Sequence, residues 1–577
     1  MSRSVPYSAN PLLRIKLPAY RSRLLLLMMA IAFIALIGRA AYLQLFTHGY
    51  LQKQGESRYG RTIELPASRG KVFDRNGVVL ASSLPARAVW VSPEEVKATP
   101  EQLASLARLL EMPVAELTRR LDVKGKTFVY LKRQVEAEAA EKVQALAIPG
   151  VHQRKEYKRF YPEGEALAHV VGFTNVEDIG QEGIELARER VLAGKPGSRR
   201  VLKDNFNRVI EDVGTLREPL EGHDLQLSID SKIQFHAFSA LREALREHRA
   251  KAGAAVVLDV QTGEVLALAN LPTYNPNQRG QLSGAQLRNR VITDTFEPGS
   301  TMKPFTSAMA LESGRYTPQS VIQTAPGRLT IGSATIGDAH TYGALTVEQV
   351  LQKSSNVGTA KMALTFPPEK MWNMFTAVGF GQAPDLGFPG AVAGRVRPHK
   401  SWRPIEQATM SYGHGISVSL IQMARAYTVF ARDGDLVPLS MVRTGQPAVG
   451  VKVIEPRTAQ AVRRMLEMAA GPGGTAPKAQ IAGYRVAGKT GTAHKQEGGR
   501  YINKYIASFV GFAPASNPRI VIAVMIDEPS AGRHYGGDVA APVFAQIAGD
   551  SLRALRIPPD APLANLVIPA EPVKESM

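Results

Sequence analysis

The sequence predicts an α+β architecture, with a mainly helical block enclosed between the first and last strands of one antiparallel sheet. Three observations carry this expectation. Residues 224–229 alternate like a half-buried strand, and residues 233–249 then place apolar groups, including Phe238, Leu241 and Leu245, at helical spacing. Residues 254–258 and 265–268 are apolar runs flanking Gln261-Thr-Gly263, the pattern of a hairpin. Far along the chain, residues 506–510 and 520–526 supply two further apolar strands around Pro514 and Pro518.

Composition sets the limits. At 577 residues the chain holds about three or four domains. Its 44% hydrophobic and 21% charged content is that of a folded protein. The absence of cysteine excludes disulfides, thiolate chemistry, cysteine-ligated zinc and a lipidated N-terminal cysteine. A net charge of +19 suits anionic surroundings such as phospholipid or acidic glycan. The basic residues are scattered, with no aromatic-interleaved basic arm and no helix-turn-helix or zinc-finger signature, so a solvated basic surface is expected and nucleic acid is not an expected partner.

The elements follow in order. Residues 1–23 carry Arg3, Arg14, Lys16, Arg21 and Arg23 and no acid, which marks a cytoplasmic tail. Residues 24–46 form one apolar segment that would span roughly 34 Å as a helix, against a hydrocarbon core of roughly 30 Å. Arg39 lies near its far end, where it can snorkel. The alternative is a cleaved leader, because Gly38-Arg-Ala40 is a small-x-small sequence; an arginine inside that site and apolar continuation beyond it favour an uncut anchor. Everything after the anchor is then expected outside the cytoplasm.

Residues 47–220 are rich in turns and charge, with Ser68-Arg-Gly-Lys-Val-Phe-Asp-Arg-Asn-Gly77, Arg159-Phe-Tyr-Pro-Glu-Gly164 and Gly180-Gln-Glu-Gly-Ile-Glu185. Asn76-Gly77 reads as a tight turn into a strand, and Asp74 and Arg75 as structural turn residues. Residues 221–553 hold the sheet and the helical block. Residues 554–577 are a proline- and alanine-rich tail expected to be flexible.

Three short strings within residues 221–553 combine into a serine acyl-transfer site. In Glu297-Pro-Gly-Ser-Thr-Met-Lys-Pro304, Pro298 and Gly299 break the chain before a helix, and Ser300 and Lys303 fall on one helical face. Lys303 can then accept the proton of Ser300 once burial or a neighbouring cation lowers its pKa from about 10.4. The helix N-terminus favours both that shift and a developing oxyanion. In Ser354-Ser-Asn356, a hydroxyl two residues before an amide can serve one cleft, with Ser354 relaying a proton and Asn356 donating to substrate and fixing the lysine. A helix cap is the plain alternative for this string. In Lys489-Thr-Gly-Thr492, placed after an expected strand at residues 484–487, Lys489 brings a second positive charge. Gly491 permits close backbone approach, and the hydroxyls of Thr490 and Thr492 can hold a carboxylate. Each string is common by chance; their order in one chain is what points to chemistry.

Two other readings are set aside. Gly483-Tyr-Arg-Val-Ala-Gly-Lys-Thr490 fits the phosphate-loop pattern, but the helix that pattern requires would have to run through the glycine-rich residues 491–499. His340, His414 and His534 lack the pairing and acidic company of a zinc helix, so no metal is expected. Glu369-Lys-Met-Trp-Asn373 reads as an amphipathic helix with Met371 and Met374 inward.

With these residues in hand, the chain resembles the class B penicillin-binding proteins along nearly all its length. The contexts Phe296-Glu-Pro-Gly-Ser-Thr-Met-Lys303 and Val486-Ala-Gly-Lys-Thr-Gly-Thr-Ala493 carry the resemblance. Residues 47–220 are similar to that family's pedestal, or dimerisation-type, domain through the arginine-glycine string ending at Gly77 and through the string from Arg159 to Gly164. Length and the single anchor resemble the cell-division FtsI type more than the elongation type. The resemblance implies a penicillin-binding transpeptidase fold over residues 221–553. It implies a D,D-transpeptidase on the outer side of the cytoplasmic membrane that cross-links peptidoglycan stem peptides at the septum, releases D-alanine and is acylated by β-lactams. Ser300 would be the nucleophile, Lys303 the base, Ser354 and Lys489 the proton and charge network, and Asn356 a positioning group. Thr490, Gly491 and Thr492 would bind substrate, with backbone N–H groups of Ser300 and Thr492 as the oxyanion hole. The implied partners are a polytopic glycan polymerase and other division proteins, and the resemblance implies no cofactor. A penicillin sensor without turnover is the alternative from another class.

Overall fold

The computed structural model describes residues 18–46, 60–123, 125–203, 209–280, 282–564 and 566. The first 17 residues of the expected cytoplasmic tail and the last 11 of the expected flexible tail lie outside the described residues. The chain forms two compact units, residues 1–67 with 195–220, and residues 68–194 with 221–577.

In the first unit, helix Ala19–Ala41 continues as a single wider turn, Tyr42–Phe46. Its side chains are exposed, its first turn carries no acid and its last turn carries Arg39. Residues Ala19–Leu45 are long and apolar enough to cross a membrane. The unit also holds a three-stranded antiparallel sheet of Gly60–Leu65, Gly197–Lys203 and Val209–Arg217.

The second unit begins with strands Val72–Phe73 and Val79–Val91, joined through the Asn76-Gly77 turn. Val129–Glu136 and Val151–Phe160 pair on either side of Val79–Val91, and Leu225–Gln226 returns parallel to Val72–Phe73. Asp74 has the structural role expected of it. Its carboxylate accepts from the backbone N–H groups of Asn76 (2.7 Å) and Val78 (2.8 Å) and from the hydroxyl of Ser231 (2.9 Å), fixing the turn to the start of the next helix.

The three turn-rich strings meet in one buried ion cluster. Glu185 accepts from Arg69 Nε at 2.5 Å and from Arg159 Nε at 2.7 Å, and Arg69 also reaches Glu189 at 2.7 Å. The side chains of Arg69, Arg159 and Glu185 are 1%, 2% and 0% exposed. The remaining donors are used too, since Arg159 Nη2 donates to the carbonyl of Gly70 at 2.8 Å and Arg69 Nη2 to that of Glu185 at 2.8 Å. Satisfying every donor is what makes buried charge tolerable.

From residue 231 the α+β layering follows. Helix α1 (Ser231–Glu247), capped by the Asp230 carboxylate, leads into β1 (Ala252–Asp259) and β2 (Val265–Leu271). The helical block contains α2 (Lys303–Glu312), α3 (Val347–Gln352), α4 (Asn356–Leu364), α5 (Pro368–Ala377), α6 (Leu420–Ala431) and α7 (Pro456–Ala470). The chain returns through β3 (Ala487–Glu497), β4 (Arg500–Ala513) and β5 (Ile520–Asp527) to α8 (Ala541–Ala554). The sheet order is β2-β1-β5-β4-β3, antiparallel throughout, so β3 is an edge strand. One face packs on α1 and α8 through Phe238, Leu241, Phe544 and Ile547; the other packs on the helical block through Val256, Phe305, Tyr427 and Phe430.

Three local details bear on the expectations. The strand expected at residues 484–487 starts at Ala487 and runs through Lys489–Thr492 itself. With strand, not helix, following Lys489-Thr490, the phosphate-loop reading has no structural support. Beyond α8 the chain stays tied to the segment before β3: Tyr484 Oη donates to the Ile557 carbonyl at 2.6 Å, and Arg485 N donates to Asp560 at 2.8 Å.

Replacing Glu185 by alanine would leave the buried Arg159 guanidinium without its carboxylate and Arg69 with Glu189 alone, at a cost of about 3–5 kcal/mol. The variant is expected to unfold at a clearly lower urea concentration than the parent, and an equal midpoint would contradict this account of the cluster.

Candidate active site

The nucleophile candidate sits on a tight entry into α2. Strand Thr295–Phe296 ends at Glu297-Pro298, and Gly299–Met302 forms a 3₁₀ turn that runs straight into α2. Gly299 has φ +55, a left-handed conformation that favours glycine. Ser300 is 5% exposed and Lys303 is fully buried. Tyr427 braces the turn from below, its hydroxyl donating to the carbonyl of Thr301 at 2.9 Å.

The second string lies between α3 and α4, and its two serines divide the expected roles. Ser355 is the helix cap, its Oγ accepting from Gly358 N at 2.9 Å. Ser354 faces the site in a left-handed conformation with φ +60, sparsely populated for a residue other than glycine. Its carbonyl accepts from Lys303 Nζ at 2.5 Å, its hydroxyl accepts from the same nitrogen at 3.0 Å, and that hydroxyl donates to Ser300 Oγ at 3.0 Å. Lys303 therefore reaches Ser300 through Ser354. Asn356 is 2% exposed in the first turn of α4, with Nδ2 donating to the Gly337 carbonyl at 3.2 Å. Asp338 secures this corner by accepting from Ser355 Oγ at 2.6 Å and Val357 N at 2.9 Å.

The third string lies on edge strand β3, beside the turn. Lys489 is fully buried, with Nζ donating to Thr490 Oγ1 at 3.1 Å and Thr475 Oγ1 at 3.3 Å; the two threonine hydroxyls are 2.9 Å apart. Gly491 is where strand and turn touch: a Cβ there would lie 2.7 Å from the Pro298 carbonyl oxygen and 2.6 Å from Ser508 Oγ, closer than any side chain tolerates. Thr492 Oγ1 accepts from Gly536 N at 3.0 Å. All three strings thus converge on Ser300, with Thr475 as an added member.

Sequence reasoning missed several groups around this centre. Glu297 joins three segments, accepting from Gly415 N at 2.9 Å, Gln496 Nε2 at 3.1 Å and the Tyr501 hydroxyl at 3.1 Å. Burial holds its carboxyl above the ordinary range against those donors. The ring of Tyr412 lies over Lys303, 6.0 Å from centroid to Nζ. His414 is next in line, and burial, with the positive charges of Lys303 and His494, pushes its pKa down to about 4. The only sequence signal for Glu297 is its place three residues before the nucleophile; Thr475, Tyr412 and His414 have none.

The arrangement offers a hydroxyl hydrogen-bonded through a second hydroxyl to a buried amine, on a helix entry, under an edge strand with a second buried amine. Such a set can move a proton off Ser300 and back, and can hold an anionic acyl group against β3.

His414 gives a pH prediction. Its pKa in the folded chain, about 4, is below the ordinary 6.5, so the neutral form belongs to the fold. Its contribution is complete above 6.5 and is lost as the pH falls toward 4. His414→Gln should lessen the loss of stability between about pH 7.5 and pH 4.5 by about 2 kcal/mol, read from denaturation midpoints at each pH. Parallel curves for parent and variant would refute it.

Comparison with known proteins gives the family. The penicillin-binding protein transpeptidase domain matches residues 253–549, and the penicillin-binding protein dimerisation domain matches residues 64–227. The chain is 44% identical over 553 residues to a Neisseria gonorrhoeae protein named "Probable peptidoglycan D,D-transpeptidase PenA", covering 95% of each chain. It is 43% identical over 542 residues to the peptidoglycan D,D-transpeptidase FtsI of Escherichia coli K12, covering 93% of this chain and 91% of that one. Among solved structures, the transpeptidase domain of Burkholderia pseudomallei penicillin-binding protein 3 is 55% identical with a TM-score of 0.54, covering 58% of this chain and 98% of that one. By these matches, and by the serine–lysine centre that its fold assembles, the chain belongs to the penicillin-binding proteins that join a dimerisation domain to a transpeptidase domain.

Proposed function

We propose that this chain is a serine-type D,D-transpeptidase that cross-links peptidoglycan stem peptides through an acyl-enzyme on Ser300. The observation that carries the reading is the hydrogen-bonded path from Lys303 Nζ through Ser354 Oγ to Ser300 Oγ. With Lys303 neutral, the Ser300 proton passes along this path as Oγ attacks the carbonyl between the last two D-alanines of a stem peptide. The C–N bond then breaks, the same proton goes to the departing D-alanine amine, and the acyl group remains on Ser300. An amine of a second stem attacks this ester, gives up a proton to the path and releases the cross-linked peptide with Ser300 restored.

Lys489 would keep Lys303 from holding its proton and draw the anionic end of the substrate toward the hydroxyls of Thr490 and Thr492. Asn356 would position the stem. The backbone of Thr492 lies against Gly299, a placement suited to stabilising an oxyanion together with the N–H of Ser300. A β-lactam, whose amide enters the same pocket, would acylate Ser300 as well.

The basic flank of the apolar helix supports a cytoplasmic N-terminus, with the catalytic region outside the inner membrane. In this reading residues 24–46 are the anchor, 47–220 the pedestal, 221–553 the transpeptidase domain and 554–577 the tail. The likeness to FtsI supports a place in septum formation beside a polytopic glycan polymerase and other division proteins.

Labelling with a fluorescent penicillin tests the reading. The parent should carry covalent label and Ser300→Ala none; label that persists on the variant would move the nucleophile elsewhere. Ser354→Ala interrupts the path without removing either end, and should slow acylation by roughly 10²–10³-fold in stopped-flow measurements. A rate within about threefold of the parent would exclude Ser354 from the proton path.

A further inference from the structure

The sheet end nearest the tip of the β3–β4 hairpin holds a second cleft, of about 480 Å³, that the catalytic reading does not use. Arg249 and Lys251 contribute from the link between α1 and β1, Lys504 and Tyr505 from the start of β4, and Glu528 and Arg533 from the loop after β5. Four cations thus face one carboxylate. Glu528 is already committed, accepting from Lys251 at 3.0 Å, from Lys504 at 2.8 Å and from Lys495 at 2.7 Å. Against the upward push of burial, those three lysines hold its pKa at about 2, so it stays ionised. Among the described residues, neither the Arg249 nor the Arg533 guanidinium has an ion-pair partner, and both residues are exposed. The cleft therefore carries uncompensated positive charge in a concave surface, where field lines concentrate on an incoming anion.

Its position ties it to the transpeptidase centre. Tyr505 lies opposite His494 in the β4–β3 register, and His494 is two residues beyond Thr492, roughly 7 Å along the strand. The rings of His494 and Tyr505 lie 4.6 Å apart at a 43° tilt, and those of Tyr505 and His534 stack at 4.0 Å. Two residues on, Gly536 N donates to Thr492 Oγ1. A peptide extended along the edge of β3 from Ser300 therefore reaches this wall within two or three residues. The charged groups such a peptide offers to a guanidinium pair are carboxylates, which guanidinium recognises in bidentate fashion.

We propose that this cleft is a second anion subsite of the enzyme, taking a stem-peptide carboxylate remote from the scissile bond. The inference rests on the transpeptidase reading and adds a recognition site to it. The carboxylate can come from the acylating peptide or from the peptide whose amine attacks, and the two arms of the test separate them.

The test uses the full-length protein in detergent and the double variant Arg249→Ala/Arg533→Ala, which leaves the catalytic groups in place. The probes are a synthetic stem pentapeptide ending in D-Ala-D-Ala, an amine-bearing stem tetrapeptide, and a twin of each with its remote carboxylates amidated. In the parent at low salt, the free-carboxylate form of one probe should react roughly fivefold faster than its amidated twin, and the double variant should lose that preference. A preference confined to Ser300 acylation assigns the subsite to the first peptide, and one confined to aminolysis assigns it to the second. The proposal is overturned if neither arm shows a preference in the parent, or if the double variant keeps it, while fluorescent penicillin still labels both proteins. Loss of penicillin label from the parent would instead sink the serine-acylation reading itself.

Discussion

A lysine amine removed from water must have the water's hydrogen-bond partners replaced by others, and this protein buries two such groups around one serine. The unusual local structure of the site follows from that requirement. Ser354 takes a left-handed backbone conformation, and its carbonyl and hydroxyl both meet Lys303. Thr475 and Thr490 place their hydroxyls together beside Lys489. Each amine thereby fixes a loop, and each loop brings a group that the proposed chemistry needs. Ser354 serves twice, as a ligand of the amine and as its link to Ser300.

The second requirement is distance. An edge strand and a helix entry come into contact only where side chains are missing, and Gly491 provides the gap against the Pro298 carbonyl. Glu297 then holds the outer part of the hairpin, through Gln496 and Tyr501, to the segment that leads into the nucleophile turn. Strand, turn and hairpin are therefore positioned together by a glycine and a carboxylate within seven residues of a reacting group or beside one.

Much of this is legible in the amino-acid sequence itself. The apolar runs of β1, β2, β4 and β5 and the periodic face of α1 follow from local pattern, because each buries a contiguous set of apolar side chains. β3 begins at Ala487, where the local pattern predicts a strand to end, and the reason is physical. Its central residues Lys489, Thr490, Gly491 and Thr492 are buried polar or glycine positions, so apolar alternation does not mark them, and the strand preference of the two threonines is set against a glycine and a lysine. The serine string left cap and catalysis as alternatives, and the fold gives the cap to Ser355 and the approach to Ser300 to Ser354. Partners supplied from afar were not legible: Arg69 meets Glu185 across 116 residues of sequence, and Thr475, Tyr412 and Asp338 reach the site from loops with no motif of their own.

The free edge of β3 has a consequence for what the pocket can distinguish. An edge strand offers main-chain donors and acceptors, which every amino acid shares, so a guest lying against it is gauged by its extended backbone and its charged end. Selectivity of that kind is blind to how the guest's amide is built. In the proposed reaction a small strained ring presenting the same amide and carboxylate would satisfy the same contacts, and once it had opened onto Ser300 the pocket would have no means of telling the impostor from the guest.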